Sequence, residues 1–206
     1  MVIDILKDLI KRYPPLAECE EDIIKAYNLI KHTYDNGGKL LCCGNGGSSA
    51  DCDHLVGELM KGFLKKRPLS TDEVNKFENK ALAEGLQKGL PAISLTTQSG
   101  LMTAFENDCN PEYVYAQQVY ALSCKDDILI AFSTSGNSKN IVYSVETANA
   151  IGVNSIAITG NKESNCSKKA TVCIKLPSDE TYKIQEFTLP VYHALAAMIE
   201  ETYFEI

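Results

Sequence analysis

The 206-residue sequence predicts an α/β protein built on a five-stranded parallel sheet with helices on both faces. Short apolar runs alternate with segments of helical periodicity, the pattern of parallel strands joined by crossovers. The runs are apolar at successive positions and not at every second one, as befits strands buried on both faces. Two of them lead directly into loops dense in glycine, serine and threonine that open helical patterns, where sheets of this class bind ligands.

Val2, Ile5, Leu6, Leu9 and Ile10 recur at helical spacing, and so do Ile23, Ile24, Tyr27 and Ile30. Pro14-Pro15 separates the two runs and Gly37-Gly38 ends the second, so two helices are expected within 1–36. The strand-like runs are Lys39 to Cys43, Ala92 to Leu95, Ile128 to Phe132, Ser155 to Thr159 and Val172 to Leu176. Residues 69–90 read as an insertion. Ser70-Thr71-Asp72-Glu73 has capping-box spacing, and Val74, Phe77, Ala81, Leu82 and Leu86 supply an apolar face before Gly89, which predicts one extra surface helix. Tyr182 to Phe204 is a long helical pattern in which Pro190 should start, kink or break the helix. No internal repeat is present, and the length suits one domain, 1–206.

A formal charge of −7 offers no broad positive field, so nucleic acid is not the expected ligand. The eight cysteines are scattered without CxxC spacing and read as small buried residues of a reduced, cytoplasmic protein. The N-terminal segment alternates apolar and charged residues, unlike a signal peptide, and no apolar run approaches the roughly 20 residues that cross a membrane.

Ile128 to Phe132 runs into Ser133-Thr134-Ser135-Gly136-Asn137-Ser138, after which Ile141, Val145 and Ala148 continue at helical spacing. A phosphate there meets free backbone N–H groups, the positive end of a helix dipole and the hydroxyls of Ser133, Thr134, Ser135 and Ser138. Simple helix capping explains one or two of those hydroxyls, and the density of the cluster favours anion binding. Gly44-Asn45-Gly46-Gly47-Ser48 has the same strand-to-helix form without the dinucleotide fingerprint GxGxxG, which argues against NAD or FAD.

His54 and Glu58 are four residues apart and share a helix face just beyond the glycine loop, placing an acid or base near a bound ligand. Alone, such a pair reads more readily as an ordinary surface pair. Gln185 and His193 lie eight residues apart on the C-terminal pattern, where His193 has apolar neighbours and also reads as a core histidine. His54, Glu58, Gln185 and His193 are types that ligate zinc, but neither HExxH spacing nor a cysteine cluster supports a metal. Eight helical residues rise about 12 Å, so one ion shared by Gln185 and His193 calls for a kink at Pro190 or a His193 from a neighbouring subunit.

The segments GNGGSSADCDHLVGEL at 44–59, STSGNS at 133–138 and IQEFTLPVYH at 184–193 resemble the phosphoheptose (sedoheptulose 7-phosphate) isomerases of the SIS superfamily. The resemblance spans almost the whole chain outside 69–90. It implies a doubly wound SIS fold, a homotetramer with active sites at subunit interfaces, and conversion of sedoheptulose 7-phosphate to a heptose 7-phosphate. By matching motifs it implies Ser133, Thr134, Ser135 and Ser138 as phosphate ligands, with Asn45, Gly46, Gly47, Ser48 and Gln185 at the substrate. Glu58 is implied as base and His193 as acid, with His54, Glu58, Gln185 and His193 at the positions that hold Zn2+ in many members. Non-catalytic adaptors that bind the initiator protein DnaA also resemble these isomerases, but lack the acidic and histidine positions that Glu58 and His193 occupy. Three departures from the family pattern stand out: the 69–90 segment, Gly62 in place of an arginine that Lys61 is poised to replace, and Gln98 in place of an acidic residue.

Overall fold

Five parallel strands pair in the order β2-β1-β3-β4-β5, in a computed structural model that describes residues 1–204. The elements follow the chain as α1 (Val2–Arg12), α2 (Glu20–Asp35), β1 (Leu40–Gly44), α3 (Gly47–Met60), α4 (Thr71–Asn75), α5 (Lys80–Gly85) and β2 (Ala92–Ser94). They continue as α6 (Ser99–Asp108), α7 (Val114–Leu122), β3 (Ile128–Phe132), α8 (Lys139–Ala150), β4 (Asn154–Gly160), α9 (Asn165–Lys169), β5 (Val172–Leu176) and α10 (Thr181–Tyr203). The chain winds outward from β1 to β2 on one side, then returns to build β3, β4 and β5 on the other. The direction therefore reverses between β1 and β3, where an open α/β sheet forms its ligand crevice.

Successive side chains of a strand enter two different cores, which is why the runs are apolar throughout. Cys42, Ile130, Phe132 and Ile158 face a layer containing Leu6, Leu9, Ile23, Leu55, Leu59 and Leu195 from α1, α2, α3 and α10. Leu41, Cys43, Leu129, Ala131 and Ala157 face Val119, Ile141 and Val145 of α7 and α8. The edge strand β5 departs from the expectation: Val172, Ile174 and Leu176 are buried while Cys173 and Lys175 are only half-buried. On that face its helical neighbour is the five-residue α9.

The single helix expected in 69–90 is instead two short ones. Ser70 and Glu73 form the anticipated capping box at α4, but Asn79 accepts a hydrogen bond from the Leu82 N–H and so starts a second helix. The proposed apolar face is not buried: Ala81, Leu82 and Leu86 are exposed, and Val74 and Phe77 half-buried.

Pro190 lies within α10 and neither starts nor breaks it. Its missing N–H leaves the Glu186 carbonyl without that bond, but Thr188, Pro190, Val191, Tyr192 and Ala194 to Glu200 are buried. Tertiary packing of this kind outweighs local helix preference.

One buried ion pair ties α10 to the end of α3. Glu200 and Arg67 have side-chain exposures of 1% and 0% and approach to 2.8 Å. Glu200 also accepts from the backbone N–H groups of Phe63, Leu64 and Lys65, while Arg67 donates to the carbonyls of Glu58 and Leu59. The guanidinium thereby satisfies carbonyls at the C-terminus of α3 that no further helical turn reaches. No described helix is long and apolar enough to cross a membrane.

Candidate active site

Register places the two glycine and hydroxyl loops side by side, because Gly44 pairs with Phe132 at the ends of β1 and β3. Gly44 itself is forced: a Cβ there would lie 2.5 Å from the Ser48 carbonyl oxygen. Gly46 has φ of 55°, a region glycine enters without steric cost. Ser48 is buried in the first turn of α3, and its N–H donates to the Asn45 carbonyl. Asn45 and Asn140 bridge the loops with two reciprocal amide hydrogen bonds of 2.9 Å each. Asn140 was not singled out in the sequence, because a lone asparagine in a helix's first turn looks like surface.

The hydroxyls of the second loop are not spent on helix capping. Ser138 is the N-cap residue of α8, yet its side chain makes no capping hydrogen bond. Ser135 Oγ accepts from the Asn137 N–H at 3.2 Å. Ser133 is buried, and its Oγ has no partner at all. A buried hydroxyl without a partner is costly to leave in that state, and Ser133 stands at the carboxyl end of β3, where the loop to α8 begins. Gly136, with φ of 64°, brings the loop so close to α9 that a Cβ would lie 2.1 Å from Ser164 Oγ. Thr134 and Ser135 also line a cavity of about 280 Å³ with Asn161, Lys162 and Thr181. Ser133→Ala is expected to weaken binding of inorganic phosphate by about tenfold, near the upper end of what one hydrogen bond supplies, with no loss in melting temperature. Calorimetric titration beside a thermal melt reads both quantities.

Helices α3 and α10 lie against each other and bring His54, Glu58 and His193 together from one chain. His54 Nε2 is 3.2 Å from Glu58 Oε1 and 3.4 Å from His193 Nε2. Tyr192 Oη lies 2.9 Å from the other nitrogen, His54 Nδ1. The His193 ring is half-buried beside Phe63 and also lines a groove of about 500 Å³ with Asp8 and Arg12 of α1, so it is not a core histidine. Burial lowers the His193 pKa from its ordinary value and the neighbouring His54 lowers it further, which favours the neutral ring. The Glu58 side chain is 14% exposed and reaches Lys61 Nζ at 3.5 Å through its second oxygen.

Gln185 stands apart from this cluster. Its amide lies over the glycine loop, where a Cβ on Gly47 would be 2.7 Å from Gln185 Nε2. The two-turn separation noted in the sequence is thus preserved on a continuous α10, and His193 needs no neighbouring subunit to meet His54. Zinc bonded to nitrogen and oxygen at about 2.0–2.1 Å sets its tetrahedral ligands about 3.3 Å apart. The His54–Glu58 and His54–His193 separations fit that edge, as do the donor types. Glu58 and His193 do not close the third edge, and among the described residues no three such side chains form a closed metal cluster.

Two of the departures have structural counterparts. A Cβ on Gly62 would meet the Lys65 carbonyl at 2.3 Å and Gln87 Oε1 at 2.8 Å, and Gln87 of the inserted segment accepts the Gly62 N–H. The Lys65 carbonyl and Gln87 of the insertion thus occupy the space a larger side chain would take, and Lys61 Nζ lies 3.5 Å from Glu58 Oε2. Gln98 lies at the start of α6 and lines a cavity of about 280 Å³ with Ile93 and Leu101.

Residues 6–160 match the model of the SIS domain. Phosphoheptose isomerases from Aneurinibacillus thermoaerophilus and Helicobacter pylori (strain Shi470) are each 35% identical to the chain. The first match covers 83% of this chain and 76% of that relative, the second 91% and 88%. The chain belongs to the phosphoheptose isomerase family of SIS-domain proteins. Its backbone agrees: the phosphoheptose isomerase structure from Francisella tularensis superposes with a TM-score of 0.77 at 28% identity, covering 95% of this chain and 94% of that one. The structure from Neisseria gonorrhoeae gives 0.74 at 28% identity, with 97% and 93% covered. For a phosphoheptose isomerase family member the reaction class is sugar-phosphate isomerisation, an aldose–ketose interconversion.

Proposed function

We propose that the protein interconverts sedoheptulose 7-phosphate and a heptose 7-phosphate, with Glu58 as base and His193 as acid. The observation that carries this reading is the approach of Glu58 and His193 to one histidine, His54, on the helix that opens from the glycine loop. The phosphate is held at Ser133, Thr134, Ser135 and Ser138 by hydroxyls, backbone N–H groups and the α8 dipole. Asn45, Gly46, Gly47 and Ser48 then line the sugar, with Gln185 above Gly47.

Glu58 takes a proton from the carbon beside the carbonyl, and the electron pair left behind forms an enediolate. His193 returns a proton to the neighbouring carbon, while the hydroxyl proton passes between the two oxygens. The proton taken by Glu58 then passes to water and His193 takes one back from water, so the enzyme is restored and no redox partner takes part. The roles reverse in the back reaction. Burial and the neighbouring His54 make protonated His193 a stronger acid than a free imidazolium, which eases its proton release to carbon.

A zinc ion, when bound, would be held by His54 with Glu58 or His193 and would polarise the carbonyl and its hydroxyl neighbour. The assembly in this reading is a cytoplasmic homotetramer with active sites at subunit interfaces, supported by the groove between α1 and α10 that opens at His193. NMR of the purified protein with sedoheptulose 7-phosphate and with shorter ketose and aldose phosphates, with and without zinc, tests the function. Aldose signals growing from the seven-carbon ketose are the expected result. Binding without turnover across the panel would instead place the chain with the non-catalytic adaptors.

A further inference from the structure

Strand register fixes where β1 and β3 end, but the loops above those ends can spread unless something ties them together. Each loop has its own anchor to the body of the protein. Tyr115 of α7 donates through its buried hydroxyl to the Gly44 carbonyl at 2.9 Å, holding the base of the glycine loop. The phosphate loop is tied to α9, where Asn137 Oδ1 accepts from the Asn165 N–H at 3.0 Å. Neither anchor joins one loop to the other. Among the described residues, the side-chain hydrogen bonds that do so are the two between Asn45 and Asn140, 95 positions apart in the chain. Asn45 Nδ2 donates to Asn140 Oδ1 and Asn140 Nδ2 donates to Asn45 Oδ1. Asn140 Oδ1 also accepts the Ile141 N–H at 3.0 Å, which fixes the orientation of its amide on α8. An amide nitrogen has two hydrogens to give, so Asn45 keeps one, held in a set direction between the loops.

We propose that Asn140 is a positioning residue: by clasping Asn45 it sets the distance between the phosphate loop and the glycine loop, and with it the length of sugar the site accepts. The inference rests on the sugar-phosphate reading above, in which Ser133 to Ser138 hold one end of the ligand. The other end is met by the glycine loop and by α3, which opens from that loop and carries Glu58. A sugar anchored at the first loop engages the second only if its chain spans the gap between them. Loops held in register from the outset spare a ligand the cost of ordering them, and that gain goes to a ligand long enough to touch both. A short sugar phosphate touches the first loop alone and gains nothing from the clasp. Asn140 acts here through Asn45 and without touching the sugar.

Calorimetric titration of the full-length protein with inorganic phosphate, a pentitol 5-phosphate and a heptitol 7-phosphate tests it without turnover, because the alditols carry no carbonyl. The wild type is expected to bind the heptitol phosphate more tightly than the pentitol phosphate. In Asn140→Ala, heptitol phosphate affinity should fall about tenfold, the scale of two partly exposed hydrogen bonds. Affinity for inorganic phosphate and for the pentitol phosphate should hold, with a melting temperature close to that of the wild type. Asn140→Ser, also too short to reach Asn45, serves as a second reading if Asn140→Ala folds poorly. In an Asn45→Ala background, Asn140→Ala should cost nothing further, since the clasp is already open. No length preference in the wild type, or a preference unmoved by both Asn140 substitutions, would overturn the proposal. So would a parallel loss of inorganic phosphate affinity, or a full further loss in the Asn45→Ala background. Absence of turnover with this binding pattern intact would count against the isomerase reading and leave the role of Asn140 standing.

Discussion

Glu58→Gln is expected to abolish turnover while leaving the fold and phosphate binding intact. The substitution keeps the size of the side chain and its place beside His54 and removes the one group able to take a proton from carbon. Positioned acid–base groups contribute about 10² to 10⁴ in rate, so kcat should fall by at least about a hundredfold with KM for the sugar phosphate little changed. The lost contact to Lys61 is 3.5 Å long and the lysine is 59% exposed, so its effect on stability is small. Steady-state kinetics with a thermal melt of the same preparation separates the two. Near-normal activity in Glu58→Gln would remove the carboxylate from the mechanism.

The largest stability effect is expected far from any chemistry, at Glu200. Glu200→Ala leaves the Arg67 guanidinium buried without its counter-ion and strips an acceptor from the N–H groups of Phe63, Leu64 and Lys65. Removing one partner of a buried ion pair costs about 3–5 kcal/mol. The midpoint of a urea titration should move accordingly, by much more than for an exposed pair such as Lys162–Asp179 broken in the same way. Because Arg67 holds the carbonyls of Glu58 and Leu59, the variant should also lose activity in excess of its unfolded fraction. A shift no larger than that of the surface pair would mean that water reaches Arg67 and replaces the carboxylate.

Much of this architecture was legible in the residues. The five strands fall where the apolar runs placed them, because each run faces two cores and leaves few polar positions to confuse its ends. Where only one face is covered, as in β5, the sequence reading overstated burial. The inserted segment misled for a different reason: helical spacing at Val74, Phe77, Ala81, Leu82 and Leu86 does not reveal that Asn79 restarts the helix. The position of Pro190 was legible, but its effect depends on the neighbours that bury α10, which no local pattern records.

The site shows the same division. Spacing brought His54 and Glu58 together, since a helix fixes residues four apart. The approach of His193 to them depends on how α10 lies along α3, a long-range fact that only the family resemblance anticipated. Arg67, Asn140, Tyr192 and Glu200 gave no signal of their own. Each acts through a partner distant in sequence, and Tyr192 in particular blends into the apolar face of α10.

Turnover in D2O followed by 1H NMR tests most directly whether Glu58 moves the proton. The account predicts that wild-type protein places deuterium on the carbon beside the carbonyl of sedoheptulose 7-phosphate as it interconverts with the aldose, and that Glu58→Gln does neither. Exchange and interconversion by Glu58→Gln at the wild-type rate would contradict it.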